Sequence, residues 1–357
     1  MRFGIIGCGT IGPTHAAAIQ QIAGLELVAA ADLSLERAKY MANKFGVERF
    51  YRGHEELLAD ETIEAVTVCT PSGIHAEVGV AALLAGKHVL VEKPMDIRVE
   101  SCDRLLEAAR KSGKTLGVIS QHRFDKATQL AKHAIEEGRL GRLAFVEGSV
   151  KWWRTQDYYD SGDWRGTLAL DGGGALMNQG VHTVDLLLHL AGPVESVSAQ
   201  TRTAAHERLE VEDIAVAVLT FKSGAVGVLS ASTAAYPGYP VRIELFGTEG
   251  TLIMEGDRLK EMHFKNGEEY IGEEAASDAL SVARGGTASL REEARDRNAS
   301  ANSGAVWGDA HRMQIEEFVN AVQENREPAV NGHTGRAAVA LVSAVYESAK
   351  IGRAIPL

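Results

Sequence analysis

The chain has 357 residues, enough for two domains of ordinary size, and its 45% hydrophobic and 24% charged content is that of a globular protein. A formal net charge of −11 argues against a nucleic-acid backbone or an anionic membrane as the main partner, while local Arg and Lys can still hold an anionic small ligand. Cys8, Cys69 and Cys102 have no paired spacing and read as free thiols; no zinc motif or other metal-ligand cluster stands out, so no metal is expected. No apolar run approaches the roughly 20 residues that span a bilayer. The N-terminus enters a strand with no basic leader or apolar signal core, so the expected compartment is the cytoplasm.

Phe3–Ile6 is a short apolar strand running into Gly7-Cys8-Gly9-Thr10-Ile11-Gly12, a complete GxGxxG, and then into a helix that tolerates Pro13 in its first turn. The next strand, Leu25–Ala31, ends on Asp32, 20 residues past Gly12. Strand, glycine turn, helix, strand and acid in this order form the dinucleotide-binding fingerprint in its required context. Gly7 permits the tight turn, Gly9 lets the backbone approach the pyrophosphate, and Gly12 allows close helix–strand packing. Asp32 is expected to hold the adenosine ribose diol and repel a 2′-phosphate, favouring NAD over NADP. Arg37, one turn into the next helix, is placed to soften that preference.

The alternation continues. Ala65–Cys69 is a strand ending in Thr70-Pro71-Ser72, followed by the helix Ile74–Leu84 with His75 at its start. His88–Val91 is a strand ending in Glu92-Lys93-Pro94; the helix Val99–Lys111 and the strand Thr115–Ser120 follow, the latter opening onto Gln121-His122-Arg123-Phe124. Strands separated by helices make a parallel, doubly wound sheet, in which ligands bind beyond the carboxyl ends of the strands. Gly7–Gly12, Asp32, Thr70–Ser72, Glu92–Pro94 and Gln121–Phe124 therefore converge on one edge. A Lys before Pro at a strand end is ordinarily a solvated loop residue. At this edge Lys93 can instead polarise a substrate hydroxyl, with Glu92 to orient it and Pro94 to fix the direction of its backbone.

Strand character changes after Gly141. Leu143–Trp153 alternates apolar and polar residues, and Val194–Thr203, Ile214–Phe221, Ala225–Thr233, Val241–Phe246 and Thr251–Met254 follow with the short turns of antiparallel neighbours. The expected fold class is α/β: an N-terminal Rossmann sheet over 1–121, and over 122–357 a C-terminal α+β domain on an open, mostly antiparallel sheet. The C-terminal helix is free to pack back on the first domain. Asp171–Leu190 is apolar after three glycines and predicts a buried helix, whose polar residues Asn178, His182, Asp185 and His189 fall in one stripe at roughly 100° per residue. That stripe is expected to line a cleft, with His182 as general base, Asn178 orienting substrate and Asp185 orienting His182 or capping the stripe. His189 reads as structural. Gly180 falls about 200° from Asn178 and is expected to face the sheet. Trp152–Tyr159 and Trp164-Arg165-Gly166 make an aromatic cluster with interleaved Arg, either a surface patch or a site wall. The polar stretch 255–308 reads as a long loop, and Val306–Gln323 and Thr334–Ala349 as closing helices, with His311 structural.

GCGTIG near the N-terminus, Glu92-Lys93-Pro94 and the GGG…N…H segment, in order and at matching spacing across essentially the whole chain, resemble the Gfo/Idh/MocA family of sugar and inositol oxidoreductases. The resemblance implies an NAD-dependent dehydrogenase with Lys93 and His182 as catalytic residues. It implies cofactor contacts by Gly7, Gly9, Thr10, Ile11, Gly12, Asp32, Thr70, Pro71, Ser72, His75, Glu92, Lys93, Gln121, Trp164 and Arg165. Lys93, Arg123, Tyr159, Asn178 and His182 are then the substrate side. Many relatives have Asp where this chain has Asn178, which weakens the analogy with the inositol dehydrogenases. The wording WRGT…DGGGALMNQGVH looks closer to members acting on nucleotide sugars or related hexoses, often at C3. The family also implies a homo-oligomer through the outer face of the second sheet. An NAD-using glycoside hydrolase on the same fold and a non-catalytic dinucleotide-binding regulator are the alternatives.

Overall fold

A computed structural model describes residues 1–272 and 299–357, and of 299–308 the backbone alone. The chain divides into two compact units, Met1–Gln121 with Ser303–Arg336, and His122–Asn302 with Ala337–Leu357.

In the first unit six strands form one sheet: β1 (Arg2–Ile6), β2 (Glu26–Asp32), β3 (Arg49–Arg52), β4 (Ala65–Val68), β5 (His88–Val91) and β6 (Leu116–Val118). Their order is β3-β2-β1-β4-β5-β6 and every pairing is parallel, the doubly wound Rossmann arrangement. Helices α1 (Gly12–Gln21), α2 (Leu35–Phe45), α3 (His54–Ala59), α4 (His75–Leu84) and α5 (Val99–Ser112) make the crossovers. Strands covered on both faces read as continuous apolar runs, and the core does so: Phe3, Ile5, Ile19 and Ala30 have no exposed surface. Ile315 and Phe318, from the helix Ala299–Gln323, complete that core.

The second unit holds nine strands: β7 (Leu143–Lys151), β8 (Val194–Arg202), β9 (Ile214–Phe221), β10 (Val226–Ser232), β11 (Arg242–Gly247), β12 (Gly250–Glu255), β13 (Arg258–Phe264), β14 (Glu269–Ile271) and β15 (Ile355–Pro356). Their order is β14-β13-β12-β11-β7-β10-β9-β8-β15, antiparallel throughout except for the parallel pair β7–β10. Helices α6 (Lys126–Glu136), α7 (Gln156–Asp160) and α8 (Val181–Ala191) belong to this unit. α8 lies on the sheet at β7, where a Cβ on Gly148 would meet Leu187 at 2.8 Å and Thr183 at 2.9 Å. Of the polar stretch 255–308, residues 273–298 lie outside the described ones. Its beginning is not a loop but β13 and β14. Their charges misled the sequence reading because they face outward in cross-strand pairs, such as Lys260 with Glu255, while Leu259 is buried. Among the described residues no helix is long and apolar enough to cross a membrane.

Candidate functional site

The first unit builds its part of the site on the carboxyl edge of the sheet. At Gly7 the chain turns with φ +102°, and a Cβ there would lie 2.5 Å from the backbone of Cys69, so only glycine fits. At Gly9 a Cβ would meet nothing within 4 Å. That opening, ahead of the N-terminus of α1, leaves room for a diphosphate against the backbone. Asp32 closes the loop: its Oδ2 accepts the Cys8 N–H at 2.9 Å, and its Oδ1 accepts the Ser34 N–H at 2.8 Å. Arg37 donates to the same Oδ1 through Nε at 3.1 Å and Nη2 at 2.9 Å. The hydroxyl of Thr70, beyond β4, is buried without a hydrogen-bond partner among the described residues. An open glycine cradle, an acid at the end of β2 and an orphaned buried hydroxyl fit a dinucleotide.

His75 is buried between two carbonyls, Pro94 O at 2.7 Å from Nδ1 and Thr70 O at 2.8 Å from Nε2. The ring thereby ties the loop after β5 to the loop after β4. Burial lowers its basicity, partly offset by those carbonyls. Asp96 does similar work, accepting the Ala76 N–H at 3.0 Å. Lys93 is half-buried on this braced loop, and Gln121 is buried where the unit ends. The sequence reading passed over a buried cluster at the foot of Lys93. His15, Glu92 and His311 bring one ligand atom each within 4.8 Å of one another.

In the second unit the segment read as one helix is two. Ala175–Gly180 forms a π-turn and α8 begins at Val181. Such turns are rare and cluster at functional sites. Glu212 holds the turn's entrance, its carboxylate accepting the N–H groups of Gly174 at 2.9 Å and Leu176 at 2.8 Å, with Tyr346 O–H donating at 3.0 Å. Burial pushes the Glu212 carboxyl up against the pull of these donors. A Cβ on Gly180 would sit 3.2 Å from Ala231 of β10.

Asn178 donates from Nδ2 to Asp171 Oδ1 at 2.7 Å, which fixes its amide; Asp171 Oδ2 also accepts the Gly166 N–H at 2.9 Å. His182, mostly buried on α8, meets the ring of His122 edge-on at 5.0 Å. His122 in turn pairs with Asp125 at 2.7 Å. Arg123 binds Asp185 through two hydrogen bonds. Tyr159 is buried with its hydroxyl on Thr233 at 2.7 Å, while Tyr158 keeps part of its surface. Both Arg165, at 2.6 Å, and Gln179, at 2.8 Å, donate to the Tyr158 hydroxyl. Arg165 also lies over the Trp164 and Tyr158 rings at 4.6 and 4.4 Å. Asp171, Tyr158, Gln179 and His122 are thus neighbours of the expected residues that sequence reasoning did not single out. Tyr158 and Gln179 carried a signal, being adjacent to Tyr159 and Asn178, and His122 lies in the strand-end segment Gln121–Phe124; Asp125 carried none.

Comparison with known proteins agrees with this architecture. Residues 1–120 match the family model "Oxidoreductase family, NAD-binding Rossmann fold", and residues 128–253 match "GFO/IDH/MocA C-terminal domain". The crystal structure of the WlbA dehydrogenase from Bordetella pertussis, solved with NADH and UDP-GlcNAcA, is 35% identical, covers 100% of this chain and 97% of its own, and superposes with a TM-score of 0.85. Myo-inositol 2-dehydrogenase of Thermotoga maritima is 29% identical over 100% of this chain and 98% of that protein. The NAD-dependent scyllo-inositol 2-dehydrogenase of Bacillus subtilis is 29% identical over 71% of this chain and 73% of its own.

Proposed function

The chain belongs to the GFO/IDH/MocA family of NAD-dependent oxidoreductases, and from that premise we propose that its substrate is a nucleotide sugar or related hexose oxidised at a ring hydroxyl, with C3 as the position. Free sugars and cyclitols are the neighbouring substrate classes. The observation that carries the nucleotide-sugar reading is the 35% identity, over the whole chain, to a dehydrogenase solved with UDP-GlcNAcA. Bound NAD supplies the carbon that accepts the hydride.

The residues of this chain bind, orient and move the proton. The backbone from Gly7 to Gly12, including Thr10 and Ile11, holds the diphosphate, and Asp32 holds the ribose diol. Thr70, Pro71 and Ser72 border the nicotinamide end, where the Thr70 hydroxyl gains a partner. Trp164 and Arg165 are assigned to the cofactor side. Lys93 polarises the substrate hydroxyl, and His182 takes its proton as general base. Asn178, whose amide is fixed by its bond to Asp171, orients the substrate. The arrangement of Arg123 on Asp185 and of Tyr159 on Thr233 supports supporting roles for these two, with Tyr158 the tyrosine on the substrate side. The outer face of the second sheet exposes Phe145, Val216, Val218 and Val226, which supports a homo-oligomer through that face.

The test is a panel of UDP-sugars, free sugars and inositols with NAD, read by NADH formation and by locating the new keto group. Turnover of a UDP-sugar with a 3-keto product is expected, and Lys93→Ala and His182→Ala each lower kcat about 10²- to 10⁴-fold. Full turnover by either variant sinks the residue assignment. Oxidation of inositols alone sinks the substrate class.

A further inference from the structure

The carboxylate of Glu92, 4% exposed at the end of β5, joins three elements. Its Oε1 lies 2.9 Å from His15 Nε2 on α1 and 3.6 Å from His311 Nε2 on the helix Ala299–Gln323. Its Oε2 accepts the backbone N–H of Lys93 at 3.0 Å. Behind His15, Nδ1 lies 2.7 Å from the Thr67 hydroxyl of β4, and that hydroxyl lies 3.4 Å from Cys69 Sγ.

The proton inventory of these contacts allows one consistent assignment. An ionised carboxylate only accepts, so His15 presents Nε2–H to Glu92. A neutral imidazole then has a bare Nδ1, which accepts from the Thr67 O–H, and Thr67 oxygen accepts from the Cys69 thiol. Burial raises the Glu92 carboxyl, but His15, hydrogen-bonded to it, and the neighbouring His311 outweigh this and hold it well below the usual range. Burial lowers His15, overriding the opposite pull of Glu92, and keeps the ring neutral. Cys69 and His75 also feel the Glu92 charge.

We propose that Cys69, Thr67 and His15 form a directional hydrogen-bond chain that, with His311 packed beside it, locks the Glu92 carboxylate, and through its bond to the Lys93 N–H makes Glu92 the positioning residue for Lys93. This rests on the assignment of Lys93 made above. The cluster is suited to position rather than to react: His15 and His311 are 0% and 1% exposed. Misplacing a reacting group by about 1 Å costs about 10²-fold in rate. The hydrogen-bond chain therefore acts on kcat.

Two measurements test this on the full-length protein. In the first, ¹⁵N-histidine NMR of the cofactor-free protein at pH 7 identifies the His15 ring, by its loss in His15→Asn, as neutral and protonated on Nε2. Thr67→Val, which keeps shape and removes the hydroxyl, alters that signature, and Thr67→Ser restores it. Protonation on Nδ1, a doubly protonated ring, or a stoichiometric transition metal in the purified protein overturns the proposal. In the second, kcat with the best substrate of the panel and the NADH dissociation constant are measured for each variant. Glu92→Gln is expected to lower kcat about 10²-fold, and Thr67→Val about tenfold with NADH affinity within twofold of the parent, while Thr67→Ser stays near parental kcat. Lys93→Ala is the control. If it keeps full kcat, the Lys93 assignment fails. If it is inactive while Glu92→Gln and Thr67→Val run at parental kcat, positioning by this chain fails alone.

Discussion

The guanidinium of Arg123 grips the carboxylate of Asp185 through two hydrogen bonds, Nε to Oδ2 at 2.7 Å and Nη2 to Oδ1 at 2.6 Å. Their side chains are 10% and 7% exposed, so water does little to replace either partner. Removing one member of such a pair leaves the other charge buried and costs about 3–5 kcal/mol, whereas replacing both with apolar groups of similar volume is often near neutral. Asp185→Leu is therefore expected to lose about 3–5 kcal/mol of unfolding free energy. Arg123→Met combined with Asp185→Leu should recover most of that. Urea denaturation of the two single variants and the double variant measures the coupling. Single variants within about 0.5 kcal/mol of the parent would show that the pair does not brace α8.

One turn further along α8, His189 feels the same guanidinium. Burial is the main cause that pushes its pKa down to about 4, and the charges of Arg123 and Lys132 add to it. The unfolded chain protonates this ring near 6.5, before the folded chain does. The stability from His189 is therefore fully present above about 6.5 and is lost as pH falls toward 4. Unfolding free energies measured from pH 7.5 down to 4.5 should decline, and His189→Gln should decline less steeply. Parallel curves for the two proteins would refute the assignment to His189. The comparison is needed because His15 and His75, also lowered by burial, slope the same way.

The first unit was legible in the sequence because its signals are local. GxGxxG, the acid 20 residues on and the strand ends that carry Lys93 all sit within single βα units, whose geometry follows from a few residues. The edge strand β3 was missed: Arg-Phe-Tyr-Arg is short and lacks the buried run that marked its neighbours. In the second unit the residues on the stripe were found, but their partners were not. Asp185 meets Arg123 across 62 positions of sequence and Glu92 meets His15 across 77, distances over which no spacing rule operates. The π-turn was equally hidden, since it depends on Glu212 holding Gly174 and Leu176 from 38 and 36 residues away. A regular α-helical projection therefore described His182 and Asp185 well and Asn178 less well.

Cofactor choice is expected to turn on Asp32 and Arg37. The acid is bound by Cys8 N–H and Ser34 N–H, and the exposed guanidinium of Arg37 is held on its Oδ1. While Asp32 stays, Arg37 is neutralised by it and a 2′-phosphate meets a carboxylate. Asp32→Ser removes the repulsion and releases Arg37 toward the place where the phosphate would sit. The ratio of kcat/KM for NAD over NADP should fall by about 10²-fold, equivalent to roughly 2.7 kcal/mol. Asp32→Ser with Arg37→Ala should reverse part of that change. A ratio unmoved in the single variant would mean that Asp32 is not the ribose-binding acid.

All three cysteines are free and buried, and their surroundings suppress the thiolate. Burial, then the charge of Asp32, pushes Cys8 up to about 12; burial, then Asp96, pushes Cys102 to about 12. Cys69 is likewise pushed well above the ordinary thiol range, by burial and then by Glu92. Since the thiolate is the reacting form, a rise from 9 to about 12 leaves about a thousandfold less of it at any pH below both values. Burial slows reagent access as well. At pH 7.5 the native protein should therefore resist iodoacetamide for hours, while the urea-unfolded chain takes up one label on each of its three cysteines within minutes. Intact-mass spectra taken along the reaction count the labels. Prompt labelling of Cys8 alone in the native protein would point to an opening of the glycine loop, because Cys8 sits between Gly7 and Gly9 and its N–H is what ties that loop to Asp32. Added NADH should then slow the reaction at Cys8 and leave Cys102 unaffected.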